Sequence, residues 1–173
     1  EALASLYAQT HKNLRVFLYC DGPILPAHEE VIQRLMRLSS GQDRVLRGEK
    51  NLGLAAGLNR LIDLALEDPA VDFMARMDAD DISVPHRIEC QLAYLRDHPE
   101  VSLAGSWCIE FSQRDVPIFY KRMPERQEDI RRAMQLRNAL AHPTVVFRRE
   151  TLERGYRYDP ETFLTEDYEL WSR

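Results

Sequence analysis

The chain has 173 residues, 45% of them hydrophobic and 29% charged, which predicts one domain large enough to bury a core. Seven Gly and nine Pro exclude collagen-like and low-complexity classes. The net charge of −5 makes nucleic acid and anionic lipid poor partners, and there is neither a signal-peptide pattern nor a stretch of about 18 apolar residues to span a membrane.

Residues 1–9 read as a helix. Residues 14–20 are a short apolar run closed by Asp21, Gly22 and Pro23, the pattern of a buried strand ending in a loop. Val31, Ile32, Leu35 and Leu38 predict a helix over 27–38, and residues 43–47 a second strand. Leu58, Leu61, Ile62 and Ala65 mark an amphipathic helix over 55–66, followed by a third strand over 71–77. Pro85 opens the next helix, with Ile88, Leu92 and Leu95 on one side. This alternation implies an α/β domain with a mostly parallel sheet covered by helices. Beyond it the sequence predicts strands over 101–111, 116–121 and 143–149. It also predicts a helix over 125–137 and a last helix from Leu164. Cys20, Cys90 and Cys108 lack metal-ligand spacing and read as three buried, reduced thiols of a cytosolic protein.

The loudest chemical signal is Asp78, Ala79, Asp80 and Asp81 at the end of an apolar strand. Residues two apart in an extended segment point the same way, so Asp78 and Asp80 face one point. At about 5 Å and an effective dielectric near 20, each pair of these charges costs about 3 kcal/mol before screening. A cation offsets that, and oxygen ligands suit Mg²⁺ or Mn²⁺. The alternative is a solvated acidic turn that caps the next helix. Glu166 and Asp167 offer either a general base or acids placed at a helix start behind Thr165 as N-cap. The run from Asn51 to Asn59 carries Gly53 and Gly57 before a helix, to receive phosphate or to allow close packing. It matches neither the Walker loop nor the dinucleotide fingerprint. His142 precedes a strand that ends in Arg148 and Arg149, which either meet phosphate or cover surface. Asp21 is either a nucleobase acceptor or a turn residue.

In this order, Asp21-Gly22, the Asn51-to-Asn59 run, the segment from Met77 to Ser83, Pro85 to Gln91, His142-Pro143-Thr144 and Glu166 to Trp171 resemble the family-2 glycosyltransferases. The chain is most similar to the bacterial branch that builds surface polysaccharides. The resemblance implies a GT-A fold, a nucleotide-sugar donor (UDP-sugar as the commonest), Mg²⁺ or Mn²⁺, and transfer with inversion to a saccharide or lipid-linked saccharide. It implies Asp80 as main metal ligand with Asp78, Asp167 as catalytic base, and Asp21, Asn51, Asn59 and Asp78 as donor-binding residues. It further implies one catalytic domain over residues 1–173, a fragment short of the family's first strand and its C-terminal part. Its place would be the cytoplasm, at the inner face of the membrane for the full-length protein. A nucleotidyltransferase and a non-catalytic scaffold of the same fold are the competing readings.

Overall fold

The computed structural model describes residues 1–37, 41–113, 116–162 and 164–173. Leu38, named above as a helix position, lies outside the described residues. In chain order the elements are α1 (Ala2–Tyr7), β1 (Phe17–Cys20), α2 (Pro26–Met36), β2 (Arg44–Arg47), α3 (Leu54–Leu66), β3 (Phe73–Ala75) and α4 (Arg87–Asp97). They continue with β4 (Leu103–Ala104), β5 (Cys108–Gln113), β6 (Val116–Lys121), α5 (Gln127–Ala133), a 3₁₀ turn over His142–Thr144, β7 (Val146–Arg148), α6 (Arg149–Glu153) and α7 (Glu166–Ser172).

The α/β alternation of the first hundred residues is as the pattern predicts, but the pairing is not mostly parallel. β1 and β2 pair in parallel, Phe17 opposite Arg44. β3 belongs to a second sheet of order β3-β7-β4, with β7 antiparallel to both neighbours. The reason is β7 itself. Val145, Val146 and Phe147 are an unbroken buried run, the mark of a central strand. The Arg76 N–H donates to the Val145 carbonyl at 2.8 Å, and the Arg149 N–H to that of Asp72 at 2.9 Å. β7 thereby ties the acidic loop after β3 to the His142 segment.

Gly57 shows why glycine stands in α3. A Cβ there would lie 2.7 Å from Cδ1 of Tyr19 on β1, so the helix can approach the strand only without one. The main core joins α3, β7, α6 and α7 through Ile62, Phe147, Leu152 and Leu170. Ile88, Leu92 and Leu95 of α4 pack on Val146 from the other side. Arg148 and Arg149 settle as helix C-caps. Arg148 donates to the carbonyls of Leu95, His98 and Val101, and Arg149 to those of Leu66, Asp68 and Val71. β5 and β6 form a hairpin with Ile109, Ile118 and Tyr120 more than half exposed. Of the cysteines only Cys20 is buried; Cys90 is exposed and Cys108 half-buried. No helix among the described residues is long and apolar enough to cross a membrane.

Candidate functional site

The acidic loop leaves β3 at Arg76, a residue the sequence did not flag. Its side chain is 6% exposed and its Nη2 donates to Asp78 Oδ1. Arg76 Nε and Nη1 are buried without a hydrogen-bond partner among the described residues. Asp78 thus carries its own counter-cation, which offsets part of the repulsion read from the sequence. Asp80 is exposed, and among the described residues its carboxylate makes no hydrogen bond or ion pair. Arg87 holds the loop from below. Its Nη2 donates to the Arg76 carbonyl at 2.6 Å and its Nε to Gln91 at 3.1 Å, while Gln91 donates to the Thr144 carbonyl at 2.7 Å. Buried Gln9 completes the frame. It donates to the Val84 carbonyl at 2.8 Å and accepts the Ile88 N–H at 3.1 Å.

Burial raises the pKa of Asp81, and the neighbouring Asp78 and Asp80 raise it further. The folded state therefore penalises its ionised form. That penalty is absent where the carboxyl is protonated in both states, and it grows as pH rises through the carboxylate range. Asp81→Asn is expected to raise the melting temperature near about pH 7 and leave it unchanged below about pH 3. Equal shifts at both ends of a pH-dependent melting series would contradict this sign.

Asp167, the second residue of α7, meets a pocket also lined by Leu136, Arg137, Asn138, Leu164, Thr165 and Tyr168. Thr165 occupies the N-cap position, but its hydroxyl caps nothing. Asp167 Oδ1 instead accepts the Tyr168 N–H at 2.7 Å, and Oδ2 accepts from Asn138 Nδ2 at 2.5 Å. His142 Nδ1 lies 3.9 Å from the same Oδ2, and its Nε2 lies 3.0 Å from the Tyr158 hydroxyl. Burial, and secondarily Arg76, push the pKa of His142 down to about 3, so the ring is neutral. Burial raises the Tyr158 phenol, with Arg76 acting against it and Asp167, Glu166 and Asp78 adding to it. One phenol therefore feels both the acidic loop and the α7 carboxylates.

Asp21 and Asn51 lie in a different cluster. Asp21 Oδ1 accepts the Leu52 N–H at 2.8 Å and Oδ2 the Gly53 N–H at 2.9 Å, while Asn51 Oδ1 also accepts from Gly53, at 3.0 Å. The anion at the start of α3 is thus the protein's own carboxylate, in the place where a phosphate would otherwise suit. Asn59, expected as a donor-binding residue, has both ends of its amide bonded to the backbone of Tyr158. Its Nδ2 donates to the Tyr158 carbonyl at 2.8 Å and its Oδ1 accepts the Tyr158 N–H at 2.9 Å. Asn59 is a clamp that sets Tyr158 beside His142. Arg76, Asn138 and Tyr158 are the site residues that sequence reading missed. The only local signal was Arg76 directly before the acidic segment.

Oxygen donors at Asp78 and Asp80 fit a hard divalent cation. Asp78 keeps Oδ2 outside its ion pair, and Asp80 is open to solvent. No group of three or more such ligands is assembled among the described residues, so a cation held by Asp78 and Asp80 would need its remaining oxygens from a substrate or water, the habit of Mg²⁺.

The mixed α/β sheets flanked by helices, with an acidic loop following β3, are those of a GT-A fold. Residues 1–155 match the family described as Glycosyl transferase family 2, and the chain belongs to that family. It is similar to the amylovoran biosynthesis glycosyltransferase AmsE of Erwinia amylovora, 35% identical over the whole chain and 62% of the relative. It is 33% identical, over 99% of the chain and 60% of the relative, to an Escherichia coli protein, UDP-Gal:alpha-D-GlcNAc-diphosphoundecaprenol beta-1,3-galactosyltransferase. It is 25% identical to the O-antigen biosynthesis glycosyltransferase WbnJ of Escherichia coli, over 99% of the chain and 64% of the relative. The chain spans about three fifths of the length of these relatives.

Proposed function

We propose that the chain is the core of an inverting, nucleotide-sugar-dependent glycosyltransferase of surface-polysaccharide synthesis. The observation that carries this is the family match together with two separate carboxylate sites, Asp78 and Asp80 on the loop after β3 and Asp167 near the start of α7 beside His142. Two carboxylate sites with different surroundings suit two tasks. Asp80 and Asp78 would hold Mg²⁺ or Mn²⁺, which supplies charge neutralisation to a leaving diphosphate. Asp167 takes the proton of the acceptor hydroxyl. The acceptor oxygen bonds to the anomeric carbon as the bond to the diphosphate breaks, and the electron pair leaves with the diphosphate. Attack from the side opposite the leaving group inverts that carbon. Asp21 and Asn51 shape the loop next to the nucleotide, through backbone N–H groups rather than by free carboxylate chemistry.

The name of the Escherichia coli relative supports a UDP-sugar donor and a lipid-linked saccharide acceptor, and with them a place at the inner face of the membrane. The test is incubation of the full-length protein with a panel of nucleotide sugars, a lipid-diphosphate saccharide and Mn²⁺. Release of nucleoside diphosphate with acceptor elongation is the expected result. Pyrophosphate as the product would make the protein a nucleotidyltransferase, and no turnover across the panel would leave the scaffold reading.

A further inference from the structure

We infer that Asn138 is the positioning residue of the base, its amide holding Asp167 Oδ2 and leaving Oδ1 as the oxygen with room for the acceptor's proton. The inference rests on the reading of Asp167 as base.

The orientation of the Asn138 amide is fixed from both ends. Oδ1 accepts the Leu140 N–H at 3.1 Å, so the NH₂ group must face the carboxylate, 2.5 Å from Oδ2. The segment before α7's partner loop is itself pinned to α7. The Tyr168 hydroxyl donates to the Met134 carbonyl, and Met134 Sδ accepts the Ala139 N–H at 3.3 Å. Neutral His142 closes the other flank of the same oxygen, with Tyr158 and Trp171 packed against its ring. The Tyr158 hydroxyl lies 3.0 Å from His142 Nε2 and holds the ring with its Nδ1 side toward Asp167. Oδ2 thus has one side-chain donor, the Asn138 amide, with the His142 ring on its other flank at 3.9 Å. Oδ1 has a single backbone donor, the Tyr168 N–H. A charge-assisted bond to a half-buried carboxylate is short and directional. It decides which lone pair points into the pocket between Leu136, Asn138, Leu164 and Tyr168.

A purely structural Asn138 would serve only the turn to Leu140, and Asn138→Asp separates the two roles. The substitution keeps an oxygen for the Leu140 N–H, removes the donor to Asp167 and sets a second carboxylate beside it. In the full-length protein, with the fastest donor of the nucleotide-sugar panel, kcat is expected to fall roughly 10–100-fold, as for a small misplacement of a reacting group. Donor KM should stay within about threefold, since the base acts in the transition state. Asn138→Ser, which restores a donor, is expected to keep more of kcat than Asn138→Asp. Thermal unfolding supplies a readout independent of turnover. Asn138→Asp should lower the melting temperature, and combining it with Asp167→Asn should recover most of the loss, because an amide again faces a carboxylate. An unchanged kcat in Asn138→Asp, or melting losses that simply add, would overturn the role of Asn138. Coupled melting together with normal turnover of Asp167→Asn would instead overturn the base reading, and the positioning role with it.

Discussion

Asp167→Asn is expected to lower kcat by about 10²–10⁴, the usual worth of a general base, while donor and metal affinity stay within a few-fold. The substitution keeps size and removes basicity. It leaves the Tyr168 N–H an oxygen to bond, although the amide then meets Asn138 with donor against donor unless it flips. Asp167 is suited to the task by its setting. Its side chain is 17% exposed, enough for an acceptor to reach, and its flanking His142 is neutral. A neutral imidazole neither competes for the proton as a charged partner nor locks the carboxylate in an ion pair. Glu166→Gln should cost less, because among the described residues Glu166 makes no hydrogen bond that would aim it. Turnover with purified acceptor, beside a donor titration, measures both quantities. Normal turnover of Asp167→Asn, or loss of activity in Glu166→Gln alone, would assign the base to the wrong carboxylate.

The parts of this molecule that were legible in the sequence are those whose cause is local. Periodicity at Leu58, Leu61, Ile62 and Ala65 finds α3 because a helix buries its own stripe, and the acidic triplet is visible because its members are neighbours. α6 escaped because Arg149 to Glu153 follows β7 without a break, so strand and helix run together as one segment. The position of β7 between β3 and β4 escaped because nothing in a three-residue apolar run states the direction of its partners. Two of the missed site residues, Asn138 and Tyr158, have remote partners. Asn138 meets Asp167 across 29 positions and Asn59 meets Tyr158 across 99. Arg148 and Arg149 read as possible phosphate ligands because their helix-capping carbonyls lie on other elements. Arg76 changed the electrostatics most. With it, Asp78 and Asp80 are no longer an equivalent pair.

That asymmetry makes the last prediction. Asp80→Ala is expected to weaken Mn²⁺-dependent binding of a nucleoside diphosphate at least 10²-fold, about 2.7 kcal/mol or more, while leaving apo stability unchanged or slightly higher. Its carboxylate is exposed, makes no hydrogen bond among the described residues, and sits beside Asp78 and Asp81. Removing it therefore deletes a repulsion and no contact. Asp78→Ala should also weaken metal-dependent binding, but it carries a structural cost that Asp80→Ala lacks. It strands the Arg76 guanidinium, whose Nε and Nη1 are already buried without partners among the described residues and whose Nη2 has only Asp78 among them. Stranding a buried charge is costly, although the exposure of Asp78, at 36% of its side chain, screens the pair and reduces the loss. Arg76→Met combined with Asp78→Ala should recover stability, since the uncompensated cation is gone. Calorimetry with and without Mn²⁺, paired with thermal unfolding of the apo protein, reads both effects. Equal apo melting of Asp78→Ala and Asp80→Ala would refute the asymmetry. Unchanged metal-dependent affinity in Asp80→Ala would remove Asp80 from the cation site, leaving the exposed carboxylate as a solvated turn residue.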